Sequence, residues 1–452
     1  MRTQVAIIGA GPAGLMLSHL LHLHGVESVV LETRSRAAVE STIRAGVLEQ
    51  GTVDLLNQVG LGERMRREGA RHQGIRLAFG GRQHRIDLAG LTDRAVTVYA
   101  QHEVLKDLIA ARVAAQGQLF FEVEQVELKA LDSAQPEVHY RHADQPRRLR
   151  CDFVIGCDGF HGISRAAMPG GLRQDYTRIY PFGWFGILVE APPSSDELIY
   201  ACHPRGFALI STRSAGVQRM YFQCDPVEQV DQWSDDRIWH ELEQRLENHE
   251  GWALKKGRIF QKNVVGMRSF VTEPMRYRRL LLAGDAAHIV PPTGAKGLNL
   301  AMADVCLLSQ ALETFYRRGD WQRLDEYSDT ALQRVWRAEH FSWWMTHMLH
   351  TRRDDTPFEH RLLLSARRPC LTAWAFSLIV PGMAPRHNSP PASSWRCAIS
   401  PCTAILTAGP PDCLRAVTAV RRCWRSPGGT SRSSSCVSAR ACRCRRRVCR
   451  RR

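Results

Sequence analysis

The sequence lacks the features of a membrane, secreted or metal-binding protein. Its longest apolar run, residues 370–384, is interrupted by Pro381 and is too short to span a bilayer. The apolar residues 5–9 lead into a glycine turn and not into a small-residue cleavage site, so no signal peptide is predicted. Five cysteines precede residue 360, and their spacing indicates neither a metal site nor a disulfide framework. We therefore expect a cytoplasmic protein without a metal and without membrane association.

Lysine and acidic residues are almost missing from the last fifth of the chain. The formal net charge is +16, but residues 361–452 contain 18 arginines, no lysine and one acid, Asp412, which leaves about −1 for residues 1–360. Nine of the 14 cysteines also lie in this tail. Such a composition favours an out-of-frame reading of a GC-rich gene, or a disordered tail, over a natural basic one. A nucleic-acid-binding function is the alternative, but the tail offers only Trp395 and Trp424 after Phe376 and no recognisable motif.

The apolar patterns of the remaining chain predict a mixed α/β fold. Residues 4–9 are typical of a buried strand, a helix follows Gly14, and residues 29–32 predict the next strand, so the chain opens with a β-turn-α-β unit. Residues 183–225 alternate as in an antiparallel sheet. Further along, the patterns predict a buried strand and two long helices, at residues 279–285, 298–316 and 322–350.

The first motif is the glycine pattern at Gly9, Gly11 and Gly14. It follows a strand and opens a helix, where glycines permit a tight turn and a close approach of the backbone to a pyrophosphate. Glu32 ends the second strand 18 residues after Gly14 and can accept hydrogen bonds from a ribose. This context favours dinucleotide binding over a glycine turn that merely closes a structural unit.

Two further motifs place a carboxylate at the end of a buried strand. Asp158 and Gly159 follow the strand at 151–156, and Asp285 lies at the C-terminal tip of the strand at 279–285. Taken alone, the first is an ordinary turn and the second an Asp that caps a helix. However, strand tips are where ligands bind in open α/β sheets, and the loop at 291–297 then opens a helix whose amides can face an anion.

In their order and spacing, the three motifs resemble the class A flavoprotein aromatic hydroxylases. The resemblance spans residues 1 to about 360 and is tightest, among members that act on hydroxybenzoate, at 43–50, 156–165, 180–184, 203–208 and 283–300. It implies FAD, a reduced nicotinamide and O2, and conversion of 4-hydroxybenzoate to 3,4-dihydroxybenzoate through a flavin C4a-hydroperoxide. Another ring carboxylate such as 4-aminobenzoate is the alternative substrate. Arg34 and Arg36 could meet the 2′-phosphate of NADPH, which favours NADPH, but their segment departs from the family's NADPH-type pattern and NADH stays open. The resemblance implies a homodimer.

The resemblance also implies a domain organisation. We predict a Rossmann-like FAD-binding domain with an inserted antiparallel-sheet substrate domain and C-terminal helices. The FAD-binding domain would comprise 1–71, 96–180 and 265–345, the substrate domain 72–95 and 181–264, the helical end 346–360, and the aberrant tail 361–452.

The resemblance assigns roles to individual residues. The cofactor would be held by Gly9, Gly11, Gly14, Glu32, Arg44, Gln101, Asp158, Asp285, Lys296, Leu298 and Asn299. The substrate carboxylate would be bound by Arg213, Ser211 and Tyr221, because a guanidinium can grip a carboxylate with two hydrogen bonds. Tyr200 and the backbone carbonyl of Pro292 would meet the substrate hydroxyl, and His72 would carry its proton to solvent.

One departure from the family pattern has a functional consequence. The family's relay uses a second tyrosine near its C-terminus, within a segment like Glu-Asn-Tyr-Val-Gly, but the last tyrosine of this chain is Tyr327. We therefore expect weak or uncoupled turnover, in which reduced nicotinamide is consumed and H2O2 is released. An unstable, inactive product is the remaining alternative.

Overall fold

The computed structural model describes residues 1–44, 46–247, 251–352, 355, 356, 358, 359 and 361, all within one compact unit that spans Met1–Ala384. The predicted tail after residue 361 and part of the helical end predicted at 346–360 lie outside these described residues. The strands are, in chain order, β1 (Val5–Ile8), β2 (Ser28–Leu31), β3 (Val47–Glu49), β4 (Ala70–His72), β5 (Gly74–Phe79), β6 (Arg82–Asp87), β7 (Val96–Val98), β8 (Gln118–Phe120), β9 (Glu124–Lys129), β10 (Glu137–His142), β11 (Gln145–Arg150), β12 (Phe153–Gly156), β13 (Gln174–Glu190), β14 (Ile199–His203), β15 (Gly206–Ser214), β16 (Val217–Cys224), β17 (Arg258–Glu273), β18 (Arg276–Tyr277), β19 (Leu280–Leu282) and β20 (His288–Ile289). The α-helices are α1 (Pro12–Leu23), α2 (Arg36–Ser41), α3 (Gln50–Gln58), α4 (Gly62–Glu68), α5 (Leu88–Thr92), α6 (Gln101–Ala114), α7 (Asp235–Arg245), α8 (Gly297–Arg318), α9 (Gln322–Asp325) and α10 (Tyr327–Leu349).

A mostly parallel six-stranded sheet in the order β18-β19-β12-β1-β2-β8 forms the first half of the fold. Ile7 of the central strand β1 lies opposite Val30 of β2 and Ile155 of β12. Every residue of these three strands is buried, as expected when helices cover a parallel sheet. Their side chains share one apolar core with α1, α6 and α8. The carboxyl ends of β1, β12 and β19 therefore meet along one edge.

An eight-stranded sheet in the order β20-β17-β13-β16-β15-β14-β5-β6 forms the second half. Side chains alternate between its faces with a period of two residues. Phe185 and Phe222 pack in one core with residues of α7, whereas Trp184, Tyr200 and Phe207 pack in another with residues of α10. The face that α10 covers therefore carries the polar side chains of the predicted substrate pocket. Two three-stranded sheets, β11-β10-β9 and β3-β7-β4, complete the described topology.

Two long strands connect the halves of the fold. β13 and β17 have 17 and 16 residues and pair along most of their length, from Gln174 opposite Glu273 to Glu190 opposite Arg258. The predicted domain boundaries at residues 180 and 264 fall inside these strands, where the pairing is irregular between Ile179 and Gly183. The predicted mixed α/β fold class is confirmed, while the domain limits remain a prediction.

The long helix predicted at 322–350 is interrupted at Glu326. The four-residue α9 precedes the break and the 23-residue α10 follows it. Tertiary contacts fix the start of α10: the buried Tyr327 hydroxyl donates to the Leu282 carbonyl at 2.7 Å, and Ser328 accepts from the Met275 amide. α10 ends at Leu349, because His350 has an extended backbone. None of the helices in the described ranges is long and apolar enough to cross a membrane.

Candidate active site

The turn between β1 and α1 is built for close backbone contacts. A Cβ on Gly9, whose φ is +103°, would lie 2.4 Å from the Cys157 carbonyl oxygen, and one on Gly14 would lie 2.0 Å from the Gly9 oxygen. Gly11 differs, because its φ is ordinary at −74° and the nearest atom to a Cβ there is 3.9 Å away. Packing thus explains Gly9 and Gly14, but it does not explain Gly11. The open space beside Gly11 is where a pyrophosphate would approach the backbone.

The start of α1 complements an anion at the same place. Pro12 begins the helix, Gly11 precedes it without a side-chain cap, and no acidic residue lies in the first turn. The first amides of a helix lack partners within the helix and lie at the positive end of its dipole. This turn therefore fits the pyrophosphate of a dinucleotide.

Glu32 is tied to the glycine turn. One of its oxygens accepts from the Ala10 amide at 2.7 Å, and the other accepts from the backbone and side chain of Arg34. The side chain is buried. Because each carboxylate oxygen has more than one acceptor position, these bonds leave room for the predicted ribose contact.

Asp158 at the tip of β12 has an unsatisfied acceptor. Its Oδ2 accepts from the amide and hydroxyl of Ser164, both at 2.9 Å. Its Oδ1 is buried and has no partner among the described residues. Burial raises the pKa of this carboxyl, against the bonds from Ser164. A buried acceptor without a donor is costly, so a ligand that donates a hydrogen bond here would fit.

The predicted cofactor residues Arg44, Gln101 and Asp285 come from three separate segments. Asp285 is accessible, yet the surrounding protein desolvates its carboxyl and raises its pKa, which the charges of His288 and Arg44 oppose. Gln101 begins α6, and its backbone lies so close to Gly46 that a Cβ there would be 2.7 Å from the Gln101 nitrogen. The fold thus brings Arg44 near Asp285 and Gly46 beside Gln101.

The loop before α8 holds the next predicted group. Leu298 and Asn299 lie in the first turn of α8, which has no side-chain cap and no acidic residue. The Asn299 side chain is fully occupied: Oδ1 accepts from Glu49 and Thr52, and Nδ2 donates to Val47 and Ala295. Only its backbone is left for a ligand.

The side chain of Lys296 is buried and does not lie at the protein surface. Its ammonium is buried, forms an ion pair with Glu49 and lies 4.9 Å from the Phe341 ring centre. The pair joins this loop to β3. A direct contact of Lys296 with the cofactor therefore remains a prediction.

Beneath Asp285 lies a buried ion pair that the sequence did not reveal. Asp304 of α8 accepts, on one oxygen, from the Gly284 amide at 3.0 Å and from His288 Nε2 at 2.6 Å. Arg334 lies 3.7 Å from the other oxygen. Burial acts to lower the pKa of His288, but Asp304 outweighs burial and raises it. The pair fixes the turn that carries Asp285.

The predicted acid-binding residues converge on β15 and β16. Thr212 pairs with Gln218 and Ser214 with Val217, which leaves Arg213 as the extra residue of a bulge, a feature that redirects a side chain. Burial lowers the pKa of Arg213, and the nearby Tyr221 and Tyr200 hydroxyls oppose this shift. No carboxylate among the described residues pairs with Arg213, and its Nε is buried without a partner.

Arg219 is a second cation in this pocket and was not predicted. It is buried, its guanidinium lies 4.8 Å from the Tyr221 ring centre, and it donates to Asn263 at 2.5 Å. Two of its nitrogens have no partner among the described residues. An arginine on the same strand face as Tyr221, two residues earlier, was the signal available in the sequence. The Ser211 hydroxyl donates to the Arg219 carbonyl at 3.3 Å.

Three residues were assigned to the substrate hydroxyl. Tyr200 on β14 is buried, which raises the pKa of its phenol, while Arg213 lowers it. The Pro292 carbonyl accepts from the Ala295 amide at 3.0 Å and keeps a second lone pair.

His72 does not reach solvent. The predicted relay end lies on β4 with 2% of its surface exposed, because strand pairing places it opposite Val96 inside the fold. Burial lowers the pKa of its ring, and its Nδ1 has no partner among the described residues. That part of the expectation is corrected, and any relay through His72 must begin from a buried ring.

The glycine turn at the tip of the parallel sheet fits a dinucleotide, and on the second sheet Arg213 and Arg219 have no carboxylate partner among the described residues. Together these features define a dinucleotide-binding enzyme. Residues 2–342 match the family model described as FAD binding domain. The chain is 48% identical over 363 residues to p-hydroxybenzoate hydroxylase of Acinetobacter baylyi, which covers 80% of this chain and 90% of that protein. The chain belongs to the family of FAD-dependent aromatic hydroxylases that includes this relative.

More distant relatives agree with this assignment. The chain is 26% identical to 3-(3-hydroxy-phenyl)propionate/3-hydroxycinnamic acid hydroxylase of Mycobacterium sp. strain JLS, over 72% of this chain and 56% of that protein. The crystal structure of p-nitrophenol 4-monooxygenase PnpA from Pseudomonas putida DLL-E4 superposes with a TM-score of 0.69 at 20% identity, over 85% of this chain and all of that one. The protein is thus an FAD-dependent monooxygenase. Within the described ranges no group of metal-ligating side chains is assembled.

Proposed function

We propose that the protein hydroxylates 4-hydroxybenzoate at the 3-position to give 3,4-dihydroxybenzoate, using reduced nicotinamide and O2. The bound FAD would supply the activation of O2. The observation that carries the substrate assignment is Arg213, a guanidinium surrounded by protein that no carboxylate of the described residues neutralises. The 48% identity to a relative named p-hydroxybenzoate hydroxylase supports the same assignment.

The acid end of the substrate would bind between β15 and β16. Arg213 can donate two parallel hydrogen bonds to a carboxylate and Tyr221 can donate one, while Ser211 would add another on turning its hydroxyl from the Arg219 carbonyl to the substrate. A bound carboxylate would replace solvent at a guanidinium whose charge burial disfavours. This arrangement favours a ring carboxylate over an uncharged phenol.

The hydroxyl end would meet Tyr200 and the Pro292 carbonyl. Removing the proton of the substrate hydroxyl makes the ring a better nucleophile at its ortho carbon. The pKa of Tyr200 lies above its ordinary value, so its phenol stays protonated at neutral pH and can donate to a developing phenolate. A 4-amino group is a poorer match for this role, which ranks 4-aminobenzoate second.

The cofactor would lie along the edge that Gly9, Gly11, Gly14, Glu32, Arg44, Gln101, Asp158 and Asp285 share with the first turn of α8. The amides of Leu298 and Asn299 would stabilise negative charge on the reduced ring. We further propose that the eight-stranded sheet is the substrate domain, that NADPH is preferred over NADH, and that the protein is a homodimer.

Substrate-stimulated nicotinamide oxidation tests the proposal. The flavin-loaded full chain should consume NADPH fastest with 4-hydroxybenzoate, more slowly with 4-aminobenzoate, and at the basal rate with phenol. Product and H2O2 are measured together, because the rate of nicotinamide oxidation alone does not report hydroxylation. No catechol product from 4-hydroxybenzoate under any condition would refute the assignment.

Substitution of the anchor adds a matched comparison. Arg213→Met should raise the KM for 4-hydroxybenzoate on the order of 100-fold, because a charge-assisted pair is lost. Arg82→Met, at an exposed position of β6, is the control and should leave the KM unchanged. Equal KM values for the two variants would exclude Arg213 as the anchor.

A further inference from the structure

The ring of His350, directly after α10, lies inside an aromatic cluster. It stacks on Phe207 with 4.5 Å between ring centres, on Phe182 with 4.6 Å and on Trp184 with 5.9 Å. Only 1% of the residue is exposed. All three partners belong to β13 or β15 of the eight-stranded sheet. An imidazole in such a place needs partners for both of its nitrogens.

Both nitrogens have partners, and these fix the tautomer. Trp184 Nε1 lies 2.7 Å from His350 Nε2, and His350 Nδ1 lies 2.9 Å from the Thr346 carbonyl oxygen. An indole N–H can only donate, so Nε2 accepts and the ring proton is on Nδ1. Burial lowers the pKa of His350 to about 3, which keeps the ring neutral and Nε2 free to accept.

The cluster leads from His350 to the proposed substrate pocket. The Trp184 ring is 5.0 Å from the ring of Tyr221, and the Phe207 ring is 6.2 Å from that of Tyr200. Gln223 reinforces the contact, because its Oε1 accepts from the amides of both Phe207 and Thr351 at 3.2 Å. The chain just after α10 is thus attached to β16, which carries Tyr221, and through Gln223 to β15, which pairs with the strand that carries Tyr200.

The same helix end also contacts the opposite wall. The Thr346 hydroxyl lies 2.7 Å from the Ser342 carbonyl oxygen and 3.0 Å from the Thr293 hydroxyl oxygen, and it can donate its single proton to either of them. Thr293 follows Pro292 directly, within the turn whose carbonyl is proposed to meet the substrate hydroxyl.

We propose that His350 is a positioning residue for the ring substrate. Through Trp184 on one side, and Thr346 and Thr293 on the other, it sets the spacing between the wall that binds the carboxylate and the turn that meets the hydroxyl. This role rests on the proposed function. The substrate is held correctly only if its carboxylate and its hydroxyl are bound at the same time. A substitution that lets His350 move should therefore change both the KM for the substrate and the amount of catechol formed per NADPH consumed.

The experiment is a double-substitution cycle on the flavin-loaded full chain. His350→Phe keeps the stacking but leaves the Trp184 N–H without an acceptor. Trp184→Phe removes the donor, the double variant removes both, and His350→Gln offers an amide oxygen near the position of Nε2. The control is His340→Phe, which makes the same substitution at an exposed position of α10, the helix that precedes His350. Each variant is assayed for the KM for 4-hydroxybenzoate, for catechol formed per NADPH consumed, and for FAD content.

We expect His350→Phe to raise the KM about tenfold and to lower the catechol yield, since a buried donor is left unpaired. The double variant should lie within about threefold of Trp184→Phe, because no orphan donor remains, and His350→Gln should recover most of the loss. FAD content should stay constant, since the contacts of His350 with the described residues involve Phe182, Trp184, Phe207 and Thr346 and none of the cofactor residues.

Two results separate failure of this role from failure of the proposed function. An active wild type combined with unchanged KM and yield in His350→Phe, or strictly additive effects in the cycle, would overturn the positioning role. A flavin-loaded wild type that forms no catechol would overturn the proposed function and the role with it. If His350→Phe does not fold, the comparison of Trp184→Phe with His350→Gln decides: loss of yield in the first and not in the second supports the role, and no loss in either refutes it.

Discussion

His288 Nε2 lies 2.6 Å from Asp304 Oδ2, and both side chains are buried beneath the turn that carries Asp285. The same Asp304 oxygen accepts from the Gly284 amide, so one carboxylate fixes both the ring and the turn. A buried charge that loses its partner is strongly destabilising.

Asp304→Asn should therefore weaken both folding and cofactor binding. We expect the free energy of unfolding to fall by about 3 kcal/mol and the FAD dissociation constant to rise on the order of tenfold as the turn shifts. Chemical denaturation and fluorescence titration of the apoprotein with FAD measure the two effects. Asp329→Asn, exposed on α10, is the control. A stable variant with unchanged FAD affinity would contradict the positioning role of Asp304.

The raised pKa of Glu339 on α10 predicts that the free energy of unfolding depends on pH. Burial raises its pKa from 4.5 to about 7. Between these values the folded protein holds a proton that the unfolded chain has released, so the free energy of unfolding falls as pH rises through this window. Glu339→Gln abolishes this contribution. Its stability relative to wild type should increase by up to about 3 kcal/mol from about pH 4 to about pH 8. Urea denaturation across this range measures the change, and parallel curves for variant and wild type would refute it.

Alanine substitutions at Gly11 and Gly14 should have different effects, the first on FAD binding and the second on folding. Gly14→Ala places a Cβ 2.0 Å from a backbone oxygen and should lower the free energy of unfolding by about 3 kcal/mol or more. Gly11→Ala meets nothing closer than 3.9 Å, so it should fold normally but bind FAD at least about tenfold more weakly. Thermal melts of the apoproteins and flavin absorbance after reconstitution distinguish the two. Normal FAD binding by Gly11→Ala would mean that the pyrophosphate lies elsewhere.

Tyr200→Phe should affect turnover more than binding. The phenylalanine keeps the apolar contacts of the buried ring but cannot donate to the substrate oxygen. We expect the rate of catechol formation to fall on the order of 100-fold, with a smaller change in the substrate dissociation constant. Rapid-reaction spectroscopy with 4-hydroxybenzoate measures both. A variant that hydroxylates at the wild-type rate would remove Tyr200 from the proton path.

Local patterns predicted the parts of the fold that local physics determines. The glycine turn, the second strand, which ends at Leu31 just before Glu32, and the carboxylate of Asp285 each follow from a few neighbouring residues, because turn geometry and strand burial leave a direct signature. The break at Glu326 was not predictable, since α9 and α10 form one continuous helical pattern. It arises where Tyr327 bonds to Leu282, 45 residues away in the chain.

The parts of the site that were missed depend on long-range contacts. Trp184 and His350 are 166 residues apart, and no local pattern links an indole to an imidazole at that separation. Asp304 reads as an ordinary polar residue of an amphipathic helix until the fold places Gly284 and His288 against it. Lys296 was expected at the cofactor because its loop is there, but Glu49 determines where its ammonium lies.

The strand order of the six-stranded sheet has a consequence for biosynthesis. β1 lies beside β12, and β12 pairs on its other side with β19. Because β19 begins at Leu280, it leaves the ribosome only after all of the residues before it. A nascent chain therefore carries unpaired apolar strand edges through most of its translation. Such edges promote aggregation. Products that terminate before residue 280 should accumulate as insoluble material, and yield from a heterologous host should improve with added chaperone capacity or slower growth at reduced temperature.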